Sequence, residues 1–515
     1  MSGRLRAATA LPSSFRHQDV AAGVRAAARR TPGKAAVTLG EAALTYGAMV
    51  ERMNRVTHAA ADLGLGEGAT AAIMAGNRLE YFEIVCGIAA TGAAIATVNP
   101  RQTPRELGEI ARDCGARIVF ADPAFEEAIR AAELPEGCEV VVLGDPYEAW
   151  IARAAASAPR KVPAEWSTFA IPYTSGTTGK PKGVCLSHRS RVFGFGVHAA
   201  LYGCFSEADR FLVTTPLFHG GGFAFPMGAL WLGASVDLMP MFSPEGLLEK
   251  MGRGEHSGTF VVPTQFHAMF AQEAPLLEAF GRHAFRSVIC NAAPLPEETK
   301  LEALDRLGEG VLHETYGSTE AGVVTNLPPW DMRRKTNCAG RPIPGQSVRL
   351  LDERGRDAAP GEIGELFSEG PTLFNGYWNR PEETDAGFRD GGFSAGDLAW
   401  ADEEGFLHIV DRKKDMILSG GVNIYPRDIE EALYAHPQIA EAAVVGLPDP
   451  RWGERVHAFI RPAAGETPDP EAVIAWCKAR LAGHKTPKGV SLIDAIPRNA
   501  AGKVLKKDLR DSLTG

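Results

Sequence analysis

Tyr173-Thr-Ser-Gly-Thr-Thr-Gly-Lys-Pro-Lys-Gly183 places four small hydroxyl residues, three glycines and two lysines within eleven positions. It follows an apolar stretch, Thr168–Pro172, that reads as a strand, and a second apolar run comes after it. Glycines let such a loop approach a ligand closely, and the hydroxyls and backbone N–H groups are donors suited to phosphate oxygens. The candidate phosphate contacts are Thr174, Ser175, Gly176, Thr177, Thr178, Gly179 and Lys180. The spacing is not that of a Walker loop in any register. A flexible surface loop is the plainer alternative, but the density of donors favours an anion site.

The surroundings of this loop decide the fold class. From about residue 18 to 300, amphipathic helices alternate with short apolar strands: Val20–Arg30 helical, Thr70–Met74 strand, Glu80–Thr91 helical, Ile118–Ala121 strand. That alternation predicts an α/β body with layered sheets. Between 345 and 410 the short runs Ser347–Leu351, Gly364–Ser368 and Phe406–Val410, punctuated by Gly and Asp, predict a small β-rich subdomain. Beyond the charged stretch Asp411-Arg-Lys-Lys-Asp415 the pattern predicts a small α+β C-terminal domain. The expected division is residues 1–411 and 412–515.

At 515 residues the chain has room for about three domains of roughly 150 residues, or for one large body with an appendage. Hydrophobic residues make up 45% and charged residues 23%, which excludes a disordered or fibrous protein. Fifty-four basic against 63 acidic side chains leave a net charge of −9, which argues against a nucleic-acid partner but not against a local phosphate site. The eight cysteines contain no C-x-x-C pair, so reduced core thiols in a cytoplasmic protein are expected. No signal peptide and no membrane span are expected. Gly64-Leu-Gly-Glu-Gly-Ala69 precedes a strand, so it reads as a turn and not as a dinucleotide fingerprint. His313-Glu314 lacks the second histidine of a zinc motif.

Further motifs follow in order: Pro216-Leu-Phe-His-Gly220, Tyr316-Gly-Ser-Thr-Glu320, Ser394-Ala-Gly-Asp397, Asp411–Asp415 and Pro497-Arg-Asn-Ala-Ala-Gly-Lys503. Together with the 173–183 loop they resemble the AMP-forming acyl-CoA synthetases of the adenylate-forming superfamily, over roughly residues 17–510. The resemblance implies ATP, Mg²⁺ and coenzyme A as reactants. A carboxylate attacks the α-phosphate of ATP to give an acyl-AMP and pyrophosphate, and a thiol then displaces AMP. An adenylate-only ligase and a carrier-protein acylating enzyme are the alternatives within the class. A non-catalytic nucleotide-binding regulator is the alternative outside it, but it would be expected to lose Lys503 or Glu320.

The resemblance also assigns roles. Lys503 supplies positive charge where two anions must meet. Glu320, with Thr178, holds Mg²⁺. Asp397 and Arg412 receive the ribose. Tyr316 stacks on adenine against the Ala292-Ala293-Pro294 backbone, with Thr315 and Thr319 nearby, and Ala292 replaces the more usual glycine. Lys414 is the hinge of a C-terminal swing that would bring Gly420 and Gly421 to a pantetheine arm. His219 stands at the junction of acyl pocket and thiol tunnel, where amino-acid-activating relatives carry an aspartate. Gly220–Gly222, Phe223, Val262, Phe266 and Val323 are expected to form an apolar pocket widened by missing side chains, suited to a medium-chain or aromatic acid. A lysine acetyltransferase and deacetylase acting on Lys503, and a homodimer, complete the expected partners.

Overall fold

The computed structural model describes residues 18–159, 162–175, 181–498 and 504–514. Two large sheets form the body. One has nine strands in the order 341–342, 322–327, 312–318, 287–290, 258–261, 210–213, 235–238, 35–39 and 42–45. Its central strands are parallel, and antiparallel hairpins close both edges. The other has 139–142, 116–121, 70–74, 94–98, 168–175 and 181–183 in line, with 186–187 paired to 168–175. The fold class expected from the alternation is the one observed.

Burial explains why these segments fold as they do. Thr70–Met74 and Ala94–Val98 are buried along their whole length, as expected for central parallel strands covered on both faces. The Glu80–Thr91 helix is buried nearly all round, which suits a helix enclosed within a large core. One continuous core joins Val37, Phe211 and Val236 of the first sheet to Ile73, Ile95 and Phe120 of the second through helices 46–62, 80–91, 188–202 and 220–232. Ser187 starts the 188–202 helix by accepting from Ser190 N at 3.1 Å.

A third, antiparallel sheet contains strands 347–351, 364–369, 397–401 and 407–412, the β-rich unit expected between 345 and 410. The fourth sheet joins the hairpin 417–424 to strands 439–449, 453–462 and 489–492. Helices 426–434 and 470–480 complete that C-terminal α+β unit. Among the described residues, no helix is long and apolar enough to cross a membrane.

Candidate active site

A cavity of about 1200 Å³ opens where the two large sheets converge. Its wall includes residues just past the carboxyl ends of parallel strands from both sheets: Asn77 after 70–74, Pro100 after 94–98, Thr214 after 210–213, Val262 after 258–261 and Asn291 after 287–290. Ligands of open α/β sheets bind in this position, because loops there are released from the ladder while their ends stay fixed.

Two polar clamps, a buried Asn77 and a half-buried Arg191, shape the cavity wall. Asn77 accepts from Leu217 N at 2.8 Å and donates to Thr215 O and Met239 O at 3.1 and 2.9 Å. It thereby holds the Pro216–His219 loop, which presents His219 at the start of the 220–232 helix. Arg191 donates to Thr319 O at 2.8 Å and to Thr372 O at 3.4 Å, which holds the 319–320 segment against the cavity. Burial lowers the Arg191 pKa to about 10, against the raising effect of Glu320.

Glu320 lies in the cavity wall, with Oε1 accepting from the Tyr377 hydroxyl at 2.7 Å. Its other carboxylate oxygen has no hydrogen bond from a described residue, so the donor set suits a hard cation that keeps most of its water. Burial, and then Glu320, raise the Tyr377 pKa, so this hydroxyl stays a donor. Lys182, also in the wall, pairs with Glu383 and lies 5.3 Å over the Tyr377 ring.

The Tyr316 hydroxyl donates to Asp397 Oδ2 at 2.6 Å, and Nε of Arg412, which lines the cavity, lies 3.1 Å from Asp397 Oδ1. Burial acts to lower the Arg412 pKa, but Asp397 and Tyr316 outweigh it and the net shift is upward. Thr315 accepts from Asn291 Nδ2 at 2.7 Å, and Asn291 in turn accepts from Ala292 N. Ala292 has φ 76°, in the left-handed region that glycine adopts without steric cost.

Several expected residues meet in this one cavity: Thr174, His219, Gly221, Phe223, Val262, Ala292, Thr319, Glu320, Val323 and Arg412 all line it. Phe266 does not. It is buried in a separate core cluster, stacked on Phe270 at 5.7 Å, because residues 263–270 turn into a helix that packs on the far side of the sheet. Two of the three expected glycines, Gly221 and Gly222, do not widen the pocket. A Cβ on Gly221 would lie 2.8 Å from Phe260 Cζ, and one on Gly222 would collide with Pro216 O. These glycines let the helix start pack tightly against its neighbours. Gly176–Lys180, with Thr178, and Lys503 lie outside the described residues, as does the Ser175 side chain. Arg498 and Val504, which flank 499–503, form an antiparallel bridge, and Arg498 reaches the cavity wall.

Lys414 is exposed in the turn between strands 407–412 and 417–419. Gly420 and Gly421, at φ 60° and 80°, form a two-residue hairpin loop between Ser419 and Val422, a turn that requires positive φ at both positions. Sequence reasoning missed Asn77, Arg191, His198 and Phe260. Arg191 and His198 had one legible signal: they are cationic or polar positions seven residues apart, on one face of an otherwise largely apolar helix.

The chain matches the family model of the AMP-binding enzyme over residues 24–378 and that of the AMP-binding enzyme C-terminal domain over 428–503. A feruloyl-CoA synthase from Amycolatopsis sp. is 35% identical over 487 residues, covering 94% of this chain and 96% of that protein. The crystal structure of ATP-bound MatB from Rhodopseudomonas palustris superposes with a TM-score of 0.88 at 31% identity, covering 96% of this chain and 99% of that one. The o-succinylbenzoate CoA synthetase from Bacillus subtilis, solved with its acyl-adenylate intermediate, gives 0.84 at 29% identity over 95% and 98% of the two chains.

Proposed function

Because the chain belongs to the AMP-binding enzyme family and is an AMP-forming acid–CoA ligase, we propose that the acid it activates is aromatic. The observation that carries this reading is the inner wall of the cavity, where Phe195, Phe218, Phe223, Phe225 and Phe260 converge. Phe225 and Phe260 stack at 5.0 Å, and aromatic faces of this kind accept a further ring in offset or edge contact. The medium-chain acid is the second reading, since the same five side chains are apolar and accept an alkyl chain as well.

The roles follow from charge. A carboxylate oxygen attacks the α-phosphorus and pyrophosphate leaves. The thiol sulfur then attacks the acyl carbon, AMP leaves with the electron pair, and the thiol proton goes to solvent. Lys503 offsets the meeting of two anions in the first step, while the 174–180 loop donates to the phosphates. Glu320, with the Thr178 hydroxyl, would hold Mg²⁺, and the ion would supply neutralisation of phosphate charge. Asp397 and Arg412 orient the ribose, and Tyr316 with the 292–294 backbone flanks adenine. Lys414 is the pivot that exchanges Lys503 for the Gly420–Gly421 hairpin between steps, with His219 at the passage from acid to thiol. Acetylation of Lys503 by a lysine acetyltransferase would cancel the charge the first step needs, and a deacetylase would restore it.

A carboxylic-acid panel tests the reading, with AMP release measured with and without coenzyme A. Cinnamate and phenylacetate are expected to give kcat/KM above octanoate, with thioester formed only when coenzyme A is added. Preference for octanoate would replace the aromatic reading with the medium-chain one. AMP release with no thioester would make the enzyme an adenylate-only ligase.

A further inference from the structure

The junction between the body and the C-terminal unit is held by a carboxylate that the reaction steps do not use. Helix 426–434 has no side-chain cap of its own, since Tyr425 at its N-cap makes none. The first N–H groups of a helix lack partners within it and favour an anion. Asp411 supplies one from across the junction: its Oδ2 accepts from Arg427 N at 3.2 Å, and its Oδ1 from Arg412 N at 2.7 Å. Arg427 Nη1 in turn donates to Ile409 O at 2.6 Å. Ile409 and Asp411 lie on strand 407–412 of the β-rich sheet, before Lys414, whereas Arg427 lies after it.

The same carboxylate acts on the tail that carries Lys503. Arg498 and Val504 form a bridge and Leu505 N donates to Pro497 O at 2.8 Å, so the two ends of 499–503 are tied together. Lys506 comes next and pairs with Glu430 Oε1 at 3.0 Å, and Glu430 also accepts from Val444 N at 2.8 Å. Burial acts to lower the Lys506 pKa, but Glu430 and then Asp411 outweigh it and the net shift is upward, so the ammonium persists. Burial raises the Asp411 pKa to about 6, with the Lys506 charge acting against it.

These contacts fix the orientation that the first step needs. Arg498, next to 499–503, lines the cavity, whereas Gly420 and Gly421 are not among its described wall residues. A rotation at Lys414 that brought their hairpin in would carry Arg427, Glu430 and Lys506 away together and leave Asp411 behind. Helix 426–434 would then lose its cap, and Lys506 one of its counter-charges. We propose that Asp411 is a positioning residue for the first half-reaction, holding the C-terminal unit through Arg427 N and Lys506 so that 499–503 stays at the cavity, and releasing both for the thiol step. This rests on the reading in which Lys503 serves the first step alone. Asp411 is itself not among the described wall residues, so its effect on the reaction runs through orientation.

The experiment measures the half-reactions separately in the full chain. The first is single-turnover pyrophosphate release from cinnamate or octanoate at saturating ATP, without coenzyme A. The second is thioester formation from supplied cinnamoyl-AMP or octanoyl-AMP with coenzyme A. Asp411→Ala and Lys506→Gln should each slow the first by roughly tenfold, the scale of one hydrogen bond to a charged group, and leave the second unchanged or faster. Asp411→Asn keeps an acceptor for Arg427 N and Lys506→Arg keeps the charge, so both should recover part of the loss, which a folding defect would not allow. The double variant Asp411→Ala with Lys506→Gln should lose little more than Asp411→Ala alone, because the same contact is removed twice. An unchanged first half-reaction, equal losses in both, strict additivity, or a loss confined to the Asp411 variants with a raised KM for ATP would overturn the proposal. Lys503→Ala is measured alongside. If it spares thioester formation, a failure of the Asp411 and Lys506 variants overturns the positioning role alone; if it lowers both half-reactions alike, the reading of Lys503 falls and the role of Asp411 falls with it.

Discussion

The Tyr316 hydroxyl donates to Asp397 Oδ2 at 2.6 Å, and this bond joins two different sheets. Tyr316 belongs to the nine-stranded sheet, and Asp397 opens a strand of the β-rich unit whose partner, Arg412, ends the next strand. Lys414 follows two residues later. The floor of the proposed ribose site is thus continuous with the turn proposed as the pivot. Burial, and then Asp397, hold the Tyr316 pKa well above its ordinary value, so the phenol remains the donor and the carboxylate the acceptor.

Tyr316→Phe should remove this link while keeping the ring. A hydrogen bond to a charged group contributes about 1.5–3 kcal/mol, so urea unfolding should show a loss of that order. The KM for ATP should rise several-fold with kcat less affected, because the lost group orients the nucleotide and does not touch the reacting atoms. A fall in kcat at unchanged KM would place Tyr316 in the chemistry instead.

Lys503→Ala should separate the half-reactions. Its ammonium is assigned to the α-phosphate step only, so pyrophosphate release should fall by two or more orders of magnitude, the scale of losing a charge-stabilising group of about 3 kcal/mol or more. Conversion of supplied acyl-AMP and coenzyme A to thioester should be largely spared. Equal losses in both assays would sink the assignment.

Ala292 bears a methyl group at φ 76°. An L-residue in that region costs roughly 1–2 kcal/mol, and glycine relieves this but gains entropy in the unfolded chain. Ala292→Gly should therefore leave the unfolding free energy within about 1 kcal/mol of wild type, on the stabilised side. Ala292→Val, β-branched in the same conformation, should lower it by about 1–3 kcal/mol. Destabilisation by the glycine variant would mean that the methyl makes a contact worth more than its strain.

Much of the body was legible from local pattern. Thr70–Met74 and Glu80–Thr91 form with the boundaries that their apolar runs predict, because both are buried along nearly their whole length. The pairing of Ala35–Leu39 with Ser235–Leu238, two hundred residues apart, has no local signal, since it depends on the intervening chain having folded. The site divides in the same way. His219, Glu320, Asp397 and Arg412 stand in motifs, whereas Asn77 and Arg191 act on backbone carbonyls brought near by tertiary packing. Phe266 was misplaced because an apolar residue four beyond Val262 can face either side of a helix, and only the packed structure shows it on the side away from the cavity. Gly221 was misread for a related reason: a missing side chain leaves a space, but not who fills it.

At Gly221 the occupant is Phe260, whose ring edge would lie 2.8 Å from an added Cβ. Phe260 is itself buried and stacked on Phe225, so it has little room to retreat except toward the cavity. Gly221→Ala should therefore cost about 1–3 kcal/mol of stability through overpacking, with a fall in kcat/KM for every aryl acid as the ring is pushed inward. The partner substitution makes the cause identifiable. Phe260→Leu alone should destabilise by leaving a gap, but combined with Gly221→Ala it should recover part of both losses, with a coupling energy of about 0.5–3 kcal/mol in urea unfolding. Strict additivity in the double variant would mean that the two side chains do not meet. If Gly221→Ala shortened the accepted acids at full stability, the glycine would instead border open pocket, and the stacked wall from Phe260 to Phe225 would have to lie deeper than this structure has it.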